Sequence, residues 1–439
     1  MDHPSTIFAP ASSYGRSAIA VIRISGSASG ESLIRLTTGP LPPPRRLVLR
    51  SLRDPSQDVL DQALVVWMPG PGTFTGEDMV ELHLHGGLAV RAAVLRALAA
   101  CPGCEPAKVG EFTRRAFLNG RLDLTEAEGI ADLIDAETEA QRRQALRQLD
   151  GALGRQVSEW RDRIIDLLAG VEAALDFSDE GDVDDDALDN ALYDKARALR
   201  DAIAKVLDDG RCGERLREGF TVVLAGPPNA GKSTLLNALS RRDAAIVSPI
   251  AGTTRDIIEV RCDLGGLPVL LIDTAGLRDT QDPIEMEGIR RTRARIAQAD
   301  LVLLLDQGDT SAVEETHPAP SPATLHIRTK ADLSPPSPSS AILAVSAITG
   351  AGLDTLLDAI ARRAADAVGG DNALITRERH REGLTRCRDH LDRLLEGTAL
   401  PELAAEDLRL AVRALGEVAG HVGVEDILDR LFSGFCIGK

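Results

Sequence analysis

Gly226-Pro-Pro-Asn-Ala-Gly-Lys232-Ser233 has the spacing G-x-x-x-x-G-K-[ST]. It follows an apolar run, Phe220 to Ala225, and opens a helical pattern, Ser233 to Leu239. Strand, glycine-rich loop and helix in that order are what this motif needs in order to hold a phosphate chain. Glycines let the backbone curl so that several N–H groups converge on one anion, and the helix N-terminus adds positive potential. Lys232 supplies a mobile cation for the outer phosphates, and the Ser233 hydroxyl is a ligand for Mg²⁺. The candidate phosphate contacts are Gly226, Asn229, Ala230, Gly231, Lys232, Ser233 and Thr234. The competing reading, a chance Gly/Pro turn after a strand, explains neither flank.

Downstream pieces point to guanine. Leu267 to Ile272 reads as a buried strand and ends in Asp273-Thr-Ala-Gly276. An Asp at a strand end can support Mg²⁺, and the Gly276 N–H can meet the γ-phosphate. Between them, Gly252-Thr253-Thr254-Arg255-Asp256 offers a hydroxyl, Thr254, to complete the Mg²⁺ shell. Thr329-Lys330-Ala331-Asp332 follows the apolar Leu325 to Ile327, and Ser346-Ala347 follows Ile342 to Val345. A carboxylate such as Asp332 only accepts hydrogen bonds, so it suits the guanine N1–H and amine and rejects adenine. Each piece is weak alone, but the order resembles the GTPases of the translation-factor-related class.

The 439 residues imply about three domains. Apolar residues make up 44 %, enough for globular cores, and aromatics only 3 %, so those cores are aliphatic. A formal charge of −17 excludes wholesale coating of nucleic acid or membrane, so any RNA contact is local. Six cysteines, no apolar signal region and no long apolar run lead us to expect a reduced, cytoplasmic setting without membrane contact.

Residues 1 to 119 read as a small α/β domain. In the strand Ser17 to Ser25, Arg23 either meets a buried anion or sits on a wet edge. Leu64 to Met68 is a second strand. Met79 to His85 alternates and puts Glu81, His83 and His85 on one face. A metal there is the minor reading and a polar ligand-lining face the major one, because three donors along one strand rarely converge. Gly86-Gly87 starts a helix, Leu88 to Ala100. Cys101-Pro-Gly-Cys104 lacks a second pair, so two free thiols are expected.

Thr125-x-x-Glu128 reads as a capping box opening a long helical stretch. Its core stripe runs through Leu146, Leu149, Leu153, Val157, Trp160, Ile164, Leu167, Val171 and Leu175. The acidic run Asp176 to Asp189 fails the calcium-loop template and reads as a solvated turn. Helical periodicity resumes over Leu188 to Leu207, Thr376 to Leu395 and Ala404 to Ala419, with a last short helix over Glu425 to Phe432. The nucleotide domain, 218–369, therefore interrupts a helical domain made of 120–217 and 370–439. The fold class expected is a multidomain α/β protein: an N-terminal α/β domain, a helical domain, and an inserted P-loop domain with a mixed, mostly parallel sheet. The tail Ser433 to Lys439 would by composition be a frayed end.

Taken together, the chain resembles the tRNA-modification GTPase family MnmE, also called TrmE. The residues that carry this are Gly76-Glu-Asp-Met-Val-Glu81, His85-Gly-Gly87, Gly110-Glu-Phe-Thr113, Arg115-Ala-Phe-Leu-Asn119, Leu122-Asp-Leu124, the GTPase motifs, and Phe435-Cys-Ile-Gly-Lys439. The resemblance spans essentially the whole chain. It implies a homodimer built through the N-terminal domain, which would bind a 5-formyl- or methylene-tetrahydrofolate. It also implies a flavin- and NADH-using partner of MnmG type, with a heterotetramer as one arrangement of the pair. Together they would build an aminomethyl-type group on carbon 5 of the wobble uridine of certain tRNAs. By position, Arg23, Glu81, Arg121 and Lys439 match the family's folate contacts, and Cys436 its tail cysteine, here a catalytic candidate. Leu277 follows Gly276, so the water-positioning glutamine is absent, and the resemblance assigns water to Glu285. An ordinary acidic helix start is the other reading of Glu285. Asn229, Ser248, Ile250 and Thr253 match the family's K⁺ site, and Ser248 and Thr253 also count among the nucleotide contacts.

Two features depart from the pattern. Thr329 stands where asparagine is usual, which keeps base choice through Asp332 but predicts weaker affinity. Asp306 to Ala323 is short and Pro-rich, so a full helix there is not expected. Two other functions use the same motifs: a ribosome-type assembly factor, and a nucleotide switch without tRNA chemistry. The first normally carries a basic module, which this acidic chain lacks.

Overall fold

The structure is a computed structural model. It describes residues 5–178, 190–227, 229–242, 244–246, 259–273, 299–306, 323–333, 343–369, 373–396, 400–422, 428, 431–432, 434–435 and 438. The chain forms two units, 1–131 with 416–439, and 132–415.

Among the described residues the first unit is built on six strands: β1 (Thr6–Pro10), β2 (Ser17–Ser25), β3 (Val48–Arg53), β4 (Val59–Met68), β5 (Met79–Gly86) and β6 (Cys104–Pro106). Their order is β3-β4-β5-β2-β1-β6. Helices α1 (Ser29–Thr37) and α2 (Leu88–Ala99) supply Leu33, Leu36, Val94 and Leu98 to a core with Ile22, Ile24, Leu52, Val65, Leu82 and Leu84. Each such side chain, removed from water, contributes about 1.5–3 kcal/mol. Helix α3 (Glu111–Leu118) brings Phe112 to a smaller cluster with Ile7, Ala9 and Ala107.

Helix α4 (Leu124–Asp135) is capped two residues earlier than the sequence suggests. Asp123 Oδ1 accepts from the Glu126 N–H, and Glu126 Oε2 accepts from the Asp123 N–H, both at 2.8 Å. Thr125 is buried inside the first turn and donates to Asp123. A carboxylate outcompetes a hydroxyl for an N-terminal N–H because it also meets the helix dipole. The expected long helical stretch is three helices. Thr138 and Gln141 form a true capping box that starts α5 (Glu139–Leu149). Gly151, at φ +75°, then turns the chain into α6 (Ala152–Ser178). The stripe survives the break, with Leu153, Val157, Trp160, Ile164 and Val171 buried. Most of the acidic run, 179–189, lies outside the described residues.

The second unit continues with α7 (Asn190–Leu207) and α8 (Cys212–Glu218) and then a seven-stranded sheet. Its strands are β7 (Phe220–Ala225), β8 (Ala245–Ile246), β9 (Glu259–Leu264), β10 (Leu267–Asp273), β11 (Leu301–Asp306), β12 (Ala323–Arg328) and β13 (Leu343–Ala344), ordered β13-β12-β11-β7-β10-β9-β8. The pairings from β13 to β10 are parallel, and β9 and β8 are antiparallel. Helices α9 (Lys232–Ser240) and α10 (Leu353–Val368) add Leu235, Leu239, Leu356 and Ile360 to its core. Helices α11 (Glu378–Leu395) and α12 (Pro401–Ala419) follow, α11 packing on α7. The Pro-rich stretch 307–322 lies outside the described residues.

The tail is not frayed where it is described. Phe432 and Phe435 are buried with Leu124 and Leu428, their rings 5.4 Å apart. Gly438 sits at φ +99°, where an added Cβ would lie 1.9 Å from the Pro10 carbonyl. Two aromatic rings seat a tail whose polar neighbours gave no such signal.

Candidate functional site

β7 is central, with β10 on one side and β11 on the other, so the chain leaves it at the point where strand order reverses. Ligands of open parallel sheets gather there. Gly226 begins the loop at φ +148°, and a Cβ would meet the Leu305 carbonyl at 2.6 Å. Asn229 and Gly231 also take positive φ, and Gly231 is the N-cap of α9. The two glycines let the backbone curl at the start of the helix, as an anion site requires.

Lys232 Nζ donates to the carbonyls of Gly226 and Pro227, at 2.8 and 3.0 Å, which holds the ammonium over the loop. Ser233 Oγ donates to Asp273 Oδ2 at 2.5 Å. That contact joins the first turn of α9 to the end of β10 through two hard oxygen donors, the chemistry Mg²⁺ selects. Ala230 is fully buried and Thr234 exposed.

The base-reading loop is tied to the phosphate loop. Thr329 Oγ1 donates to the Ala230 carbonyl at 2.8 Å, and the Thr329 N–H donates to the Asp306 carbonyl at 2.8 Å. The Asp306 carbonyl is a partner that sequence reasoning missed. Lys330 is at φ +57°, and Ala331 donates to the Val345 carbonyl. Ser346, fully buried, donates through Oγ to Asp332 Oδ1 at 2.6 Å. Ala347 follows in the same turn, half-buried. Asp332 is thus oriented by a hydroxyl and keeps acceptor capacity. Ser248, Ile250, Thr253, Thr254, Gly276 and Glu285 lie outside the described residues.

The first unit carries a second polar cluster. Arg23 Nε and Nη2 both meet Glu81 Oε1 at 3.0 Å, so the strand arginine has its anion. Its guanidinium lies 5.5 and 5.9 Å from the ring centres of Phe74 and Phe112, two further contacts missed in the sequence. Below them, Glu77 accepts from Arg115 and from Ser25, and Ser25 shares a hydrogen bond with Thr75. That network accounts for several polar residues of Gly76 to Glu81 and Arg115 to Asn119. Arg121 is exposed, and its stem packs beside Gly76. Cys436 and Lys439 lie outside the described residues.

Glu81, His83 and His85 do not converge. His83 Nε2 is 3.6 Å from Glu81, whereas His85 turns to Asp61. Among the described residues no group of three or more His, Cys, Asp or Glu could hold a metal ion. The five described cysteines are free. Burial raises all five thiols, Cys262 to about 11 and Cys387 to about 12, so none of them is a ready thiolate at neutral pH. Among the described residues no helix is long and apolar enough to cross a membrane.

Comparison with known proteins supplies the family. The family model described as GTP-binding protein TrmE N-terminus matches residues 6–121, and that described as MnmE helical domain matches residues 124–436. A tRNA modification GTPase MnmE of Methylorubrum populi is 70 % identical over 437 residues, covering 99 % of this chain and 98 % of that protein. The chain belongs to the MnmE family. A second MnmE, from Methylobacterium radiotolerans, is 67 % identical and covers 100 % of both chains. A third, from Rhodopseudomonas palustris, is 51 % identical and again covers 100 % of both. The family thus accounts for the N-terminal sheet, the helices and the P-loop sheet in one chain.

Proposed function

We propose that the chain is a potassium-activated GTP hydrolase. With a flavin-dependent partner of MnmG type, it would modify carbon 5 of the wobble uridine of certain tRNAs, using a tetrahydrofolate one-carbon unit. Its segments would be an N-terminal folate and dimerisation domain (1–119), a helical domain in two halves (120–217 and 370–439), and the inserted GTPase domain (218–369). Its setting would be the cytoplasm.

The observation that carries the nucleotide half is the hydrogen bond from Thr329 to Ala230. It joins the base-reading loop to the phosphate loop, so base and phosphates are read by one rigid assembly. Asp332, held by Ser346, accepts from the guanine N1–H and amine. Lys232 and the α9 N-terminus neutralise the phosphates. Ser233 and Thr254 would hold Mg²⁺ with Asp273 behind, and the bound ion would supply charge neutralisation at the outer phosphates. Asn229, Ser248, Ile250 and Thr253 would hold K⁺. Glu285 orients the attacking water through an acceptor oxygen. In the first unit, Arg23, Glu81, Arg121 and Lys439 would hold the folate, and Cys436 would act at the modification site.

Titration with GTP and ATP tests the nucleotide half. GTP and GDP bind and ATP does not, and Asp332→Asn relaxes the difference. Comparable ATP and GTP affinities in the unaltered protein would refute it.

A further inference from the structure

The first unit contains a group that nucleotide chemistry does not use. His85 Nδ1 lies 2.7 Å from Asp61 Oδ1. Asp61 Oδ2 accepts the backbone N–H of His85 at 2.9 Å, and Oδ1 accepts that of Gln62 at 2.8 Å. The carboxylate is therefore nearly enclosed, its side chain 8 % exposed, while the imidazole it holds is 73 % exposed. A carboxylate can only accept, so Nδ1 carries the proton and Nε2 keeps its lone pair toward solvent. A buried acid that fixes the tautomer of an outward imidazole is the orienting half of a general acid–base pair. The bland alternative, a surface ion pair, is worth only about 0–1 kcal/mol. It would not account for a nearly enclosed carboxylate that meets both the ring and the backbone N–H of His85.

The surroundings name the substrate class. Ile19, the cross-strand register partner of His85, is exposed, as are Leu64 and Leu49. Bare aliphatic side chains beside a single lone pair suit a flat heterocycle. We propose that the His85–Asp61 dyad is the proton-transfer group for a pyrimidine base undergoing substitution at carbon 5. This rests on the reading that the first unit carries the modification chemistry. The C5–C6 electron pair forms the new bond to the one-carbon electrophile, an iminium carbon whose C=N⁺ π pair passes to its own nitrogen. The C5–H bond then breaks, its electrons restore the C5–C6 double bond, and the proton passes to Nε2. Asp61 faces the resulting imidazolium. Other charged groups lie further along: Glu81 and His83 on β5 meet each other, Arg23 on β2 meets Glu81, and Arg91 on α2 is bonded to Ser13 and Ser17.

The test uses the full chain with its flavoprotein partner and unmodified tRNA, scored by nucleoside analysis, with GTP hydrolysis as the folding control. His85→Gln lowers the modification rate at least roughly a hundredfold, the usual scale of general acid–base catalysis, without raising KM for tRNA. Added imidazole restores turnover to His85→Ala, since the lost ring was solvent-facing. Asp61→Asn replaces the carboxylate that fixes the ring with an amide that can also donate to Nδ1, and lowers the rate at least roughly tenfold with KM for tRNA unchanged. Modification by His85→Gln within threefold of the unaltered protein overturns the proposal. So does a loss that imidazole cannot restore, or an Asp61→Asn protein that modifies tRNA at the unaltered rate. If the unaltered protein gives no modified nucleoside, the wobble-uridine reading fails first, and the dyad's role falls with it.

Discussion

Thr329 does at one residue what a longer amide would do elsewhere: its hydroxyl spans from the base loop to the Ala230 carbonyl at 2.8 Å. It is 5 % exposed, so no water replaces that bond. Thr329→Ala therefore weakens GTP and GDP binding by about 1 kcal/mol, roughly fivefold, with GTP-over-ATP preference intact. Calorimetry reads both, and an unchanged affinity would mean the tie is incidental. Lys232, Ser233, Asp273 and Asp332 were legible because the phosphate and guanine chemistries dictate residue type and spacing together. The Asp306 carbonyl was not, since a backbone acceptor leaves no trace in a sequence. Nor were Phe74 and Phe112 around Arg23, because nothing in their own segments marks them as its neighbours.

At the scale of elements, the short helix α8 joins the helical segments to the P-loop sheet within the second unit. Arg217, at its end, and Arg377, before α11, both meet Asp132 Oδ1, at 2.9 and 2.6 Å. Arg215 of α8 meets Asp300, which also accepts the N–H of Thr221 at the start of β7. Asp132→Ala leaves two guanidinium groups facing each other in a half-buried site and destabilises the chain by roughly 3 kcal/mol. Chemical denaturation measures this, and a loss below about 1 kcal/mol would place the cluster among ordinary surface pairs. Helix periods and the apolar strands that close on the motifs were legible from apolar spacing, whereas the order of strands within each sheet was not. The breaks at Thr138 and Gly151 were not, because a core stripe continues across a turn that keeps its phase. The tail shows the same limit. Gly438→Ala puts a methyl against the Pro10 carbonyl at a φ that favours glycine, so it unseats the tail. The expected result is lost tRNA modification with GTP hydrolysis retained, and unimpaired modification would show that the seating is dispensable.

For the whole molecule, the chain must neutralise charge on the departing γ-phosphate without a glutamine after Gly276. On the proposed reading, Glu285, itself negative, orients water, and a potassium ion at Asn229 would add to the neutralisation that Lys232 and Mg²⁺ supply. Hydrolysis should accelerate strongly in potassium over sodium at matched ionic strength, Asn229→Lys should blunt that difference, and Glu285→Ala should slow turnover without weakening GTP binding. Equal rates in the two salts would remove the cation from the account. The most direct measurement of the central claim is nucleoside analysis of tRNA from a strain lacking its own copy of this gene, with and without this chain supplied. The account predicts that the substituted wobble uridine reappears only when the chain is present. Identical nucleoside profiles in the two strains would contradict it.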